Sequence, residues 1–170
     1  MNRFTSAIRT GIQTENLYAA LFLALTMPDI CSKLEHAESG SSGPRYRAWF
    51  ERYLLPNYTM SIMGHKTVFM TSGDCWALRC SLFHEGSDDM GEQKAKETVS
   101  RFRFTTRDCH LIKINDVLVL NIARFCEEVC KAVEAWASDV TAVAAVQERI
   151  RSAVSVAEES FLPSPGVRIG

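Results

Sequence analysis

SGDCWALRCSLFHEG, residues 72–86, is the stretch on which the reading of this chain turns. Ser72 or Asp74 is suited to cap a helix, because a short side-chain oxygen can take up the orphan amides of a first turn. Gly86 is suited to end it, because glycine enters the left-handed conformation that helix C-termini favour. At 100° per residue, Cys75, Trp76, Leu78, Cys80, Leu82 and Phe83 spread over a wide apolar arc. Asp74, Ser81, His84 and Glu85 fill the remainder. Arg79 falls inside the apolar arc. A guanidinium keeps its charge at any ordinary pH, so it demands a partner or a wet cleft. The sequence therefore predicts that a carboxylate, a second subunit or an anionic ligand meets Arg79.

The rest of the chain reads as helices around that one. The 170 residues suit one domain, and 46% of them are apolar, enough for a sizeable core. We expect a single helical domain over 1–162 and a tail over 163–170. The net charge of −1 argues against nonspecific nucleic-acid binding, so any RNA contact has to come from a local patch. The six cysteines lack dense spacing. Cys75, Cys80, Cys126 and Cys130 sit in apolar helical pattern, which suits reduced thiols and predicts a cytoplasmic setting. The apolar run Leu17–Met27 is short for a membrane span of about twenty residues. Glu15 before it and no small-residue cleavage site after it argue against a signal peptide. A buried first helix over much of Thr5 to Thr26 is expected, then a short helix or kinked continuation from Pro28, since proline is costly in a helix interior.

His36–Pro44 has loop composition. Arg45–Leu55 reads as a helix with Tyr46, Trp49, Phe50 and Tyr53 as an inner stripe and Arg45, Arg47 and Arg52 around it. Basic residues among aromatics can bind nucleic acid, but burial of the stripe is the reading favoured by its spacing. Phe102 and Phe104 alternate with Arg101 and Arg103, and Leu111 and Lys113 alternate with His110, Ile112 and Ile114, so one β-hairpin is predicted near residues 99–115. Its polar face would carry Arg101, Arg103 and Lys113, with Arg107 at the turn, the clearest local basic patch. Asp116 is the expected cap of a helix over Val117–Ser138. A last helix is expected from Asp139 or Thr141 to about Phe161. Cys126 and Cys130, with Cys109 and His110, lack the paired spacing of structural zinc sites, so no metal or cofactor is expected.

Arg79 and His84 spell R-x4-H near the end of a helix in a mainly helical chain. This resembles the HEPN superfamily, helical domains many of which are metal-independent ribonucleases of toxin and antiviral systems with an R-x4-6-H motif. Arg103 and His110 fit the same motif, but in a strand and turn. The resemblance implies a helical bundle, here with one inserted hairpin, and a homodimer that brings two motifs together. It also implies catalytic roles for Arg79 and His84. A neutral imidazole can take the proton of a ribose 2′-hydroxyl, and a guanidinium can hold phosphate oxygens as charge builds. Side chains five residues apart diverge by about 140° on one helix, so within one chain the pair need not converge. Cys80 and His84 do share a face, which makes a thiol–imidazole pair the rival chemistry. Three readings follow: a HEPN-like endoribonuclease; a non-catalytic HEPN-like module that binds RNA, a nucleotide or a protein; and an unrelated helical domain whose Arg79 sits in a structural ion pair.

Overall fold

Pro28 does not end the helix that contains it. In the computed structural model, which describes residues 1–38, 40–91, 93–154, 156, 160–164 and 167–169, α1 spans Asn2–Gln13 and α2 runs unbroken over Leu17–Glu35. The break falls earlier than expected, at Glu15, which takes a left-handed φ of 59°. Proline forfeits one helical hydrogen bond, a cost of about 3 kcal/mol in an isolated helix interior. Packing offsets it here, because Leu25, Met27, Pro28 and Cys31 are all buried. The result is a 19-residue helix with a hydropathy of 1.3, which by length and composition could cross a membrane. In this fold it is the central post, in contact with α1 and with the four helices introduced below.

Helix α3, Ser42–Tyr53, buries Tyr46, Trp49 and Phe50, so its aromatic stripe faces the core. A 3-10 turn over Leu55–Tyr58 follows and stacks Tyr58 on Phe50. Strands β1, Thr59–Ile62, and β2, His65–Val68, then form an antiparallel hairpin. Its two-residue turn places Met63 and Gly64 at φ values of 51° and 81°, the double positive φ that tight hairpin turns require.

Helix α4, Ser72–Glu85, is the predicted helix, with a different cap. Thr71 is its N-cap: the Thr71 hydroxyl accepts from the Asp74 amide, and Asp74 Oδ2 accepts from the Thr71 amide, each at 3.1 Å. Ser72 instead donates to Glu51 at 2.7 Å. Gly86 closes the helix at a left-handed φ of 66°.

The predicted hairpin of residues 99–115 is corrected. Strands β3, Arg101–Thr105, and β4, Ile112–Ile114, do not pair with each other; β5, Val117–Asn121, lies between them, parallel to β3 and antiparallel to β4. The hairpin is β4–β5, closed by Asn115 and Asp116, with Asn115 at a φ of 54°. Burial explains the order. Leu118 and Leu120 are 0% exposed whereas Ile112 and Ile114 are 41% and 61% exposed, so the more apolar strand takes the centre. The expected helix from Val117 therefore starts later, as α5, Ile122–Asp139, and its cap is Asn121 rather than Asp116. Helix α6 is Ala144–Ser152, shorter than expected; Val154 lies beyond it and is 74% exposed. Short strands β6, Phe161–Ser164, and β7, Val167–Ile169, pair where a tail was expected, and residues 155 and 157–159 of the expected last helix lie outside the described residues. The chain is mainly helical.

One carboxylate ties α4 to the sheet. Besides Thr71, Asp74 accepts from the amides of Glu97, Thr98 and Val99 at 2.7, 2.9 and 3.1 Å and from the Thr98 hydroxyl at 2.8 Å. Burial alone would push this carboxyl up; the amides of Glu97, Thr98 and Thr71 and the Thr98 hydroxyl outweigh it and hold it below the usual carboxylate range. Gly73 lets the loop come this close, since a Cβ there would sit 2.4 Å from the Ala95 carbonyl oxygen.

Asp74→Ala strips several buried donors of their acceptor at once and is expected to cost about 3 kcal/mol or more in denaturant unfolding. Gly73→Ala should cost about 1–3 kcal/mol by forcing the loop away. Because the Asp74 carboxyl titrates lower in the fold than in the unfolded chain, its contribution is present above about pH 3.9 and fades as pH falls through the folded value. Asp74→Asn should accordingly lose less stability than the wild type over that acid range.

Candidate functional site

Arg79 meets a carboxylate of its own chain. Its Nε lies 3.0 Å from Asp29 Oδ2 on α2, with side-chain exposures of 22% and 18%. The contact is off the line that an aligned hydrogen bond needs, and both atoms lack a hydrogen-bond partner among the described residues. Burial pushes the Asp29 carboxyl up, and Arg79 pulls it only part of the way back. The guanidinium is also flanked by the rings of Trp76 and Phe83, at 5.3 and 4.9 Å from their centroids. Phe83 in turn packs on Phe22 of α2. The arginine in the apolar arc is thus seated at the α2–α4 contact between two aromatic walls and one acid.

His84 occupies the last turn of α4, exposed and with no side-chain partner among the described residues. Within one chain the arginine is engaged by α2 while the histidine faces solvent. Cys80 is partly buried, and burial raises its thiol although Arg79 opposes this. A thiol raised in this way is a weak source of thiolate. All six cysteines are free, and Cys126, on the inner face of α5, is pushed up to about 12 by burial.

The four basic residues of the predicted patch do not stay together. Arg101 forms an ion pair with Asp89. Lys113 is on β4, across the sheet from β3. Arg103 and Arg107 instead line one open groove of about 780 Å³ between the start of α2, the end of α4 and the turn after β3. Arg103 makes only a long contact, 3.4 Å, to Asp88 and its side chain is 57% exposed. Arg107 has no side-chain partner among the described residues, but its backbone is fixed: its amide donates to Thr105 Oγ1 at 3.0 Å and its carbonyl accepts from Asn121 Nδ2 at 2.8 Å.

The sequence reading missed a buried polar cluster. His110, its side chain 6% exposed, places Nε2 3.1 Å from Glu128 Oε1 on α5. Tyr58 donates to the other Glu128 oxygen at 2.5 Å, and the Asn121 amide donates to His110 Nδ1 at 3.2 Å. That amide makes Nδ1 an acceptor, so the neutral ring carries its proton on Nε2 and donates to Glu128. Both ring nitrogens are committed, so this histidine locks the turn after β3 to α5. Tyr58, His110 and Glu128 come from three separate segments, and no local motif announces the cluster. Among the described residues no group of three His, Cys, Asp or Glu side chains converges in a metal-ligand arrangement.

No family model, no curated protein and no solved structure matches this chain.

Removing either member of the Arg79–Asp29 pair leaves a poorly hydrated charge. Asp29→Ala and Arg79→Met are each expected to cost about 1–3 kcal/mol in denaturant unfolding. The double variant should cost less than the sum of the two. Strict additivity would show that the pair contributes nothing as a pair.

Proposed function

We propose that this chain is a HEPN-like protein that cleaves RNA without a metal ion, with Arg79 and His84 of two protomers lining one cleft. The observation that carries the reading is the state of the two motif residues. His84 is exposed and unpartnered among the described residues, ready to accept a proton, at the end of the helix on which Arg79 is held in place by Asp29 and two rings. In the proposed step His84 takes the proton of a ribose 2′-hydroxyl. The 2′-oxygen attacks the adjacent phosphorus, the bond from phosphorus to the 5′-oxygen breaks, and that oxygen takes a proton from the second protomer's His84. The products are a 2′,3′-cyclic phosphate and a 5′-hydroxyl. Arg79 offsets the charge that builds on the phosphate oxygens. A dimer supplies what one helix cannot, because the two side chains of one α4 diverge. Phe83, beside the motif and 37% exposed, suits a surface covered by a second copy.

A second reading has its own observation. Asp29 already balances the Arg79 charge, as a structural ion pair in a non-cutting HEPN-like module, or in an unrelated helical domain, would do.

One gel separates them. Cleavage of single-stranded RNA is expected to persist in EDTA and to leave cyclic phosphate ends. His84→Ala should lower the rate by roughly a hundredfold to ten-thousandfold, and Arg79→Ala by roughly a hundredfold to a thousandfold. Cys80→Ala should change little. Undiminished cleavage by His84→Ala would sink the mechanism, and no cleavage by well-folded wild type would leave the non-cutting reading. Light scattering at high protein concentration should give the mass of a dimer; a monomer removes the composite site.

A further inference from the structure

The groove beneath Arg103 and Arg107 is separate from the Arg79–Asp29 contact, and neither Arg79 nor His84 lines it. We infer that it binds a nucleotide unit, with Arg103 and Arg107 holding the phosphate and Tyr18 stacking on the base. Four features of the groove converge on this ligand. The groove, at about 780 Å³, falls within the range of small-ligand sites. Its charge is positive, two guanidiniums against the single carboxylate of Asp88, in a chain whose net charge is −1. The Arg103–Asp88 contact at 3.4 Å is long and exposed, so a phosphate can compete for that guanidinium at little cost. Arg107 has no side-chain partner among the described residues, so its guanidinium is available to a phosphate, while the backbone it springs from is fixed.

Tyr18 supplies the part that charge cannot. It lines the groove, yet 80% of its surface remains in water. A phenol ring beside paired guanidiniums is the combination that recognises single-stranded nucleic acid, where each base offers a face for stacking and each phosphate a charge. Thr105 and Thr106 add hydroxyls at the same wall. Asp88 can accept from a ribose hydroxyl or a base amino group. The ligand chemistry, a phosphate next to an aromatic base, occurs both in a free nucleotide and in a strand of RNA.

The inference rests on the reading of this chain as RNA-directed, and its test separates the two. Fluorescence anisotropy with a labelled ten-nucleotide uridine oligomer, and competition by free uridine monophosphate, would be measured on the His84→Ala protein so that no cleavage intervenes. Expected is oligomer binding that falls at least about tenfold in the Arg103→Ala, Arg107→Ala double variant. The slope of log affinity against log salt should shrink by about 1.4 with the two contacts removed. Tyr18→Ala should weaken binding by about tenfold to a hundredfold, and Tyr18→Phe should restore it, since the ring face does the work. Lys113→Ala, on the far strand, should leave binding unchanged. Competition by the free nucleotide at the oligomer's own affinity would assign the site to a mononucleotide; weak competition would assign it to a strand. No binding of either probe, or equal losses from Lys113→Ala and the arginine variants, would overturn the inference. Groove-dependent binding in a protein whose wild type does not cut RNA would retain it and discard the nuclease reading.

Discussion

The fold depends on one buried carboxylate. Asp74 accepts hydrogen bonds at both oxygens, from the first residue before α4 and from three consecutive residues of the segment leading into β3. A carboxylate out of water is tolerable only when its lone pairs are met. Here the requirement works in both directions, because the amides of residues 97–99 belong to no helix and would otherwise be unpaired as well. The helix start and the sheet start thus satisfy each other. Gly73 is the steric condition for that exchange, since the Ala95 carbonyl passes where a side chain would begin.

From this join α4 leads to both candidate regions. One side turns toward α2, where Arg79 meets Asp29 and Phe83 meets Phe22. The other end, at Gly86, opens into the groove that β3 completes with Arg103 and Arg107. The contrast between the two regions is electrostatic. Arg79 is shielded and balanced, so its charge is local. The groove arginines are exposed and under-balanced, so their field reaches solvent and falls off with salt over about 10 Å. A charge of the first kind orients; one of the second kind attracts.

What the sequence disclosed followed from how local the physics was. Helix α4 was legible because its cap, its apolar arc and Gly86 lie within one short stretch, and even there the capping residue was displaced by one position. The stripe Tyr46, Trp49 and Phe50 was legible because burial and period coincide. Pro28 reads as the start of a short helix or of a kinked continuation, and the helix continues through it because the cost of an interior proline is local while the packing that offsets it is not. Val117–Asn121 misled because a strand of alternating burial runs directly into a helix, with no glycine or proline between them to mark the change of period. The role of Asp29 opposite Arg79 depends on how α2 crosses α4. Tyr58, His110 and Glu128 form one polar cluster from three distant segments, a pairing that no spacing rule encodes. The same holds for the basic patch, three of whose members were chosen from strand alternation, and whose Lys113 is set apart from Arg101 and Arg103 by the strand between them.

The passage from β5 to α5 has a mechanical meaning. Asn121 is at once the last residue of a strand and the cap of a helix, and its side-chain amide also holds the Arg107 carbonyl. With no intervening loop, there is nothing slack between sheet and helix to absorb a displacement. A tug on the Arg107 turn is passed through a single asparagine to an 18-residue rod. The core helix is therefore geared to the groove rim, and the amides on either side of Asn121 should open to solvent together, as one cooperative unit, not as a strand and a helix in turn.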